Sequence, residues 1–220
     1  MKNKTALLFG ATGLTGSHLL EKLIADQRYK KIKVFSRSAI QSDSVKTEVI
    51  ITPLEEIEKY EKEIKGDDVF CCLGTTIKKA GSKDNFRKVD YDFPLKIAGI
   101  ASKNKVPSFL VISSVGADPE SRGFYLRTKG EMEKKLYEIG FKKLVILRPS
   151  MLLGKREEFR FLEETAKLLI KPAGFMFRGK LRKYRPIKAE TVAAAMVNLA
   201  NTDTGKIFFE SHEIELQLKE

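Results

Sequence analysis

With 220 residues, 42% of them hydrophobic, and 15 glycines, the chain can bury roughly 70% of its unfolded surface as one large domain. This excludes a disordered, collagen-like or disulfide-stapled molecule. Lys and Arg outnumber Asp and Glu by 41 to 29; the surplus favours anionic partners such as nucleotide phosphates, but it governs association rather than fold.

Short β-branched or apolar runs alternate with longer amphipathic stretches, the pattern of βαβ units in an α/β, doubly wound, mostly parallel sheet. The first run, Thr5–Phe9, passes directly into Gly10-Ala11-Thr12-Gly13-Leu14-Thr15-Gly16, and a helical pattern over Leu14–Asp26 begins at once. Strand, glycine turn and helix in immediate succession suit a dinucleotide pyrophosphate. Glycine lets the backbone approach the phosphates, and unpaired N–H groups of the first helical turn bind the anion. Gly10, Thr12, Gly13, Leu14, Thr15 and Gly16 are the expected phosphate-binding stretch, although three glycines spaced three apart depart from the G-x-G-x-x-G form.

The second strand, Lys31–Ser36, ends in Ser36-Arg37-Ser38. In such sheets this point meets the adenosine ribose, where a carboxylate takes the 2′-hydroxyl of NAD and an Arg accommodates the 2′-phosphate of NADP. With no carboxylate there, NADP is the expected cofactor, Arg37 its charge partner, and Ser36 and Ser38 its hydrogen-bond donors. Strands at Glu48–Ile51 and Asp68–Leu73 follow. Gly74-Thr75-Thr76, after the latter, is either a close backbone approach to the ribose or an ordinary βα turn. Adjacent Cys71 and Cys72 lack a C-x-x-C partner and should line the two faces of a buried strand.

A helix over Phe93–Ser102 leads to a strand at Phe109–Ser113, so the hydroxyls of Ser113-Ser114 stand at the carboxyl edge of the sheet, where doubly wound folds bind ligands. Next come a helix over Tyr125–Ile139 with Gly140 as its stop, a strand at Leu144–Leu147, helices at Glu157–Leu169 and Glu190–Ala200, and a strand at Ile207–Phe209. Three tyrosines have a lysine four residues on: Tyr29 with Lys33, Tyr125 with Lys129, and Tyr184 with Lys188. Tyr29 opens a strand and Tyr184 lies two residues before Pro186, which interrupts a helix. Only Tyr125 and Lys129 share a helix face, where an ammonium favours the ionised phenol and can hold a ribose at the same time.

At these residues the chain resembles the short-chain dehydrogenase/reductase superfamily, and more narrowly its atypical members similar to the Tat-interacting-protein oxidoreductases. The Gly10–Gly16 loop, Cys72-Leu73-Gly74-Thr75-Thr76, Val89-Asp90-Tyr91-Asp92, Ser113-Ser114-Val115-Gly116-Ala117-Asp118, Tyr125-Leu126-Arg127-Thr128-Lys129-Gly130-Glu131 and Leu147-Arg148-Pro149 carry the likeness. It implies a Rossmann domain binding NADP, with Tyr125 as proton donor or acceptor, Lys129 on the nicotinamide ribose, and Ser114 positioning the substrate oxygen. Ser113 is the alternative, since neighbouring strand residues face opposite ways. The same likeness puts Arg148 beside the nicotinamide; a plain turn at Arg148-Pro149-Ser150 is the other reading. The implied activity is NADP-dependent oxidation or reduction of a small carbonyl or hydroxyl compound. The competing function is an NADPH-binding regulatory protein that recognises a protein partner.

The segment from Ser150 to Lys188 is left for a short substrate-side elaboration of this one domain, 1–220. Seven cations between Lys171 and Lys188 interleave there with Phe175, Phe177 and Tyr184; position at the ligand edge favours a lid over a nucleic-acid or membrane surface. His18 and His212 are too far apart in sequence to suggest an imidazole metal site. No apolar run approaches the ~18–20 residues that cross a bilayer, and the opening Met1-Lys2-Asn3-Lys4 does not read as a secretory signal, so the cytoplasm is the expected address.

Overall fold

The computed structural model describes residues 3–154 and 179–218. The expected helix at Glu157–Leu169 and most of the expected lid lie outside the described residues. Seven parallel strands form the main sheet: β1 (Lys4–Phe9), β2 (Tyr29–Ser36), β3 (Thr47–Ile51), β4 (Asp68–Cys71), β5 (Ser108–Ile112), β6 (Lys143–Arg148) and, last in the chain, Phe208–Glu210. Their spatial order is β3-β2-β1-β4-β5-β6 followed by Phe208–Glu210. This is a Rossmann-type α/β fold, with the order reversing between β1 and β4.

Alternate residues of β1 explain why both faces are covered. Ala6 and Leu8 join the core under α1 (Leu14–Ala25) and the Ala189–Asn201 helix, while Leu7 and Phe9 join the core on the opposite face. The second core lies under α4 (Phe93–Lys103) and α5 (Phe124–Ile139), through Ile97 and Ala101 of α4 and Met132 and Leu136 of α5. All four β1 residues are fully buried, as parallel strands covered on both sides require. Phe9 stacks on Phe35 of β2 with ring centroids 4.5 Å apart. Cys71 enters one core and Cys72 packs against the other, as their alternation predicts.

The connection from β3 to β4 is a 3-10 helix at Leu54–Glu63, kinked at Tyr60. The connection from β4 to β5 holds two short helices, α2 (Ile77–Ala80) and α3 (Lys83–Arg87), then a π-helical stretch, Lys88–Asp92, that runs into α4. A two-stranded parallel ribbon pairs Leu152–Leu153 with Ile187–Lys188. A Cβ on Gly154, just past the ribbon, would come within 2.5 Å of Leu14 Cδ1, so this elaboration adjoins the glycine turn at the carboxyl edge of the sheet.

Candidate cofactor and active site

The turn after β1 is shaped by close approach. Gly10 has φ +85°, and a Cβ there would stand 2.6 Å from the Cys72 carbonyl oxygen of the neighbouring strand end; a Cβ on Gly16 would stand 2.0 Å from the Gly10 carbonyl oxygen. Gly13 has the ordinary values φ −73° and ψ 164°, and its N–H donates to Gly10 O at 2.9 Å. Helix α1 starts without a side-chain cap and without an acidic residue in its first turn. The Thr15 hydroxyl, in that first turn, is buried with no hydrogen-bond partner among the described residues. Uncapped N–H groups, an orphaned hydroxyl and no nearby carboxylate on the helix suit an anion.

A cavity of about 640 Å³ opens there, lined by Gly10, Thr12 and Gly13 from the turn, Ser36, Arg37 and Ser38 from the end of β2, and Gly74 and Thr75 after β4. Leu14, Thr15 and Gly16 lie behind this lining, in the first turn of α1. Arg37 is exposed and has no ion-pair partner among the described residues. Sequence reasoning had not singled out Glu55, Lys79 and Asn85, which also line the cavity.

Helix α5 carries Tyr125 and Lys129, neither of which lines this cavity. The Tyr125 ring lies 5.4 Å from that of fully buried Phe86. Lys129 is only 3% exposed; its ammonium stands 2.7 Å from Asp90 Oδ1 and donates to the Ile112 carbonyl at 3.3 Å. Burial works against this charge, but the Asp90 carboxylate and the Tyr125 phenol more than offset it, and the pKa of Lys129 lies above the ordinary lysine value. Asp90 is 0% exposed, and its Oδ2 accepts the Thr75 N–H at 2.9 Å. One carboxylate thus joins the turn that borders the cavity to the lysine of α5. A signal for it was present in the sequence: Phe86, Asp90, Phe93 and Ile97 recur at helical spacing, so Asp90 occupies a place in an apolar stripe.

The two serines behave differently. Ser113 is 5% exposed and its Oγ has no partner among the described residues, whereas Ser114 is half-buried with its Oγ directed to Val115 O at 3.4 Å. Arg148, expected beside the nicotinamide, is engaged elsewhere: its Nε donates to Glu133 Oε1 at 3.0 Å, and its guanidinium lies 4.4 Å from the centre of the Phe208 ring. Glu133 is buried on α5, and a buried carboxylate needs such a partner. Burial pushes the Cys71 thiol up to about 12 and the Cys72 thiol well above its usual value, so neither is a thiolate nucleophile at neutral pH.

Residues 10–203 match the family model described as NAD(P)H-binding. The chain belongs to this NAD(P)H-binding family. It is 38% identical over 166 residues to Protein HTATIP2 of Rattus norvegicus, covering 73% of this chain and 67% of that protein, and the resemblance to the Tat-interacting-protein oxidoreductases holds. It is 31% identical over 201 residues to mitochondrial Protein FMP52 of Debaryomyces hansenii, covering 90% of this chain and 88% of the relative. Among solved structures, UDP-glucuronic acid 4-epimerase from Bacillus cereus, in complex with UDP-glucuronic acid and NAD, superposes with a TM-score of 0.68 at 15% identity over 94% of this chain and 77% of the epimerase. That likeness concerns the fold. The fungal relatives overturn the expected cytoplasmic address, because FMP52 of D. hansenii and of Candida glabrata are named as mitochondrial. Free thiols and the lack of a long apolar run did not separate the two compartments. Among the described residues no helix is long and apolar enough to cross a membrane.

Proposed function

We propose that the chain is an NADP-dependent oxidoreductase of the short-chain dehydrogenase/reductase type, acting on a small carbonyl or hydroxyl compound. The observation that carries this reading is the buried, charged Lys129 one helical turn from Tyr125, joined through Asp90 to Thr75, which lines a crevice that suits a dinucleotide.

In this reading the backbone of Gly10–Gly13 and the first turn of α1 hold the pyrophosphate, and Arg37, with Ser36 and Ser38, takes the 2′-phosphate of NADP. The bound cofactor supplies or accepts a hydride. Tyr125 gives its phenolic proton to the substrate oxygen during reduction and takes it back during oxidation. The Lys129 ammonium favours the phenolate left behind and offers a hydrogen bond to the nicotinamide ribose. The hydroxyl of Ser114 or of Ser113 donates to the substrate oxygen as charge grows on it.

A screen of small aldehydes and ketones with NADPH, followed by the loss of reduced-cofactor absorbance, tests the reading. On a substrate so found, Tyr125→Phe should cut turnover by ~100-fold or more, the usual scale for a general acid, while NADPH affinity stays within about two-fold of the parent, since the phenol makes no phosphate contact. Near-parent turnover by Tyr125→Phe removes the catalytic assignment. Capture of a protein partner only by the NADPH-loaded chain, with no compound turned over, supports the regulatory function instead.

A further inference from the structure

We infer that Asp90 is a positioning residue that holds the Lys129 ammonium in its charged state and ties it to the cofactor-bordering turn at Thr75. The inference rests on the oxidoreductase reading for its role in turnover, but not for its chemistry.

The argument begins with donor counting. The two groups that Asp90 meets are both donors, the Thr75 N–H at 2.9 Å and the Lys129 ammonium at 2.7 Å. A carboxylate has two acceptor oxygens and can serve both; an amide of the same shape has one acceptor oxygen and would turn an NH₂ toward one of the two donors. The site therefore demands a negative charge and not merely a polar group. The Lys129 ammonium pairs with Oδ1 at 2.7 Å and spends one of its three N–H donors on Ile112 O, while Oδ1 has no aligned hydrogen-bond donor among the described residues, so charge rather than a hydrogen bond holds the pair. The π-helical stretch Lys88–Asp92 that bears Asp90 is a rare backbone form concentrated at functional sites, and here it leads into α4 with Asp90 fully buried.

The other charged groups around α5 do not compete. Arg87 of α3 is paired with Glu131, Arg148 of β6 with Glu133, and Lys83 lies over the Phe124 ring at 5.5 Å. Cys71, which approaches from β4, is held neutral by burial. Asp90 is thus the anion that compensates Lys129. Removing its charge makes the Lys129 ammonium give up its proton more readily.

The test follows the Lys129 side chain directly, by NMR titration of ¹³Cε-labelled lysines with Lys129→Arg supplying the assignment. In the parent protein the Lys129 resonance should keep its protonated position beyond pH 10. In Asp90→Asn it should titrate at least one pH unit lower, and in Asp90→Glu, which keeps the charge, it should stay with the parent. NADPH affinity, read by cofactor fluorescence, should fall at least three-fold in Asp90→Asn because the Thr75 turn loses its anchor. With a substrate in hand, the basic limb of the kcat profile should move to lower pH in Asp90→Asn and stay in place in Asp90→Glu. A Lys129 titration identical in parent and Asp90→Asn overturns the inference. So does a parent Lys129 that loses its proton at or below the ordinary lysine range, a result that needs no variant to fold. If Lys129 shifts as expected while no compound is ever turned over, the inference stands and the oxidoreductase reading falls.

Discussion

At its N-terminal edge the sheet borders a cavity of about 1200 Å³, nearly twice the volume of the 640 Å³ crevice at its carboxyl edge. The two differ more in chemistry than in size. In the larger one, Lys4 stands 2.7 Å from Asp68 and donates to Asn201 Oδ1 and to the Ala200 carbonyl; Tyr29 donates its hydroxyl proton to Asp68 and accepts from Asn201 Nδ2. Lys143 donates to the Thr202 carbonyl at 2.7 Å, so two cations meet carbonyls at the end of the Ala189–Asn201 helix, where the macrodipole is negative. Apart from the buried Ser108 hydroxyl, this network answers its own polar groups. At the carboxyl edge the balance is reversed: α1 is uncapped, the Thr15 and Ser113 hydroxyls have no partner among the described residues, and Arg37 has no counter-ion among them. Unanswered polarity, rather than volume, marks the place where a ligand completes the structure.

This contrast can be broken by mutation, because changes at one edge should alter binding and changes at the other should alter stability. The largest effect is expected from Gly16→Ala. Its Cβ cannot be accommodated 2.0 Å from a backbone oxygen, so the turn must open, and NADPH binding should vanish in fluorescence titration while the circular dichroism spectrum keeps its helical and strand content. Gly13→Ala, whose Cβ would lie 3.0 Å from the same oxygen, should do much less. At the other edge, Asp68→Ala should cost about 3–5 kcal/mol, because partly buried Lys4 and fully buried Tyr29 lose their shared acceptor. That corresponds to a fall in Tm of roughly 6–20 °C, with NADPH affinity of the folded protein unchanged; a weakened affinity at unchanged Tm would invert the assignment of the two edges.

Two smaller effects sharpen the comparison. Arg37→Ala should weaken NADPH by about 1.5–3 kcal/mol, the scale of a hydrogen bond to a charged group, and leave NADH unaffected. Equal affinity of the parent for both cofactors removes the NADP preference. The last effect is a pH dependence at the N-terminal edge. Burial and the Asp68 carboxylate raise the pKa of Tyr29 far above the ordinary phenol value. The native state therefore keeps a proton that the unfolded chain loses above pH ~10, and stability should fall there by about 1.4 kcal/mol per pH unit from this group alone. Tyr29→Phe should flatten that slope in urea titrations between pH 9.5 and 11, and an unchanged slope would free Tyr29 from the network.

The sheet was legible because each strand is a short apolar run bounded by turn residues, and Gly140 does stop α5, with φ +75°. The 3-10 helix at Leu54–Glu63 was not, since its sequence is mostly Glu and Lys with only Leu54 and Ile57 buried, too few apolar positions to set a period. Of the candidate site, the glycine turn, the Ser36-Arg37-Ser38 end of β2 and Gly74-Thr75 were readable from order alone, and they meet around one cavity. What stayed hidden depends on partners distant in sequence. Arg148 belongs to Glu133, fifteen residues earlier on another element, and Asp90 joins Thr75 to Lys129 across three elements. The meaning of a charged side chain lies in its counter-ion, and no local pattern names that.

The bond from Lys4 to Asn201 spans 197 positions of the chain, and this has a consequence for how the molecule assembles. Parallel strands cannot pair through tight hairpins; each pairing waits for a crossover of a dozen or more residues, so the sheet is built from contacts that loop-closure entropy makes slow. Strand β1 is the extreme case. It is the earliest strand in the chain, yet it stands third of seven in the finished sheet, paired on both sides, and its first residue finds its final partners only when the Ala189–Asn201 helix docks. The contact of Lys4 with that helix is therefore among those with the longest loop to close, and its formation joins the two ends of the chain in one network.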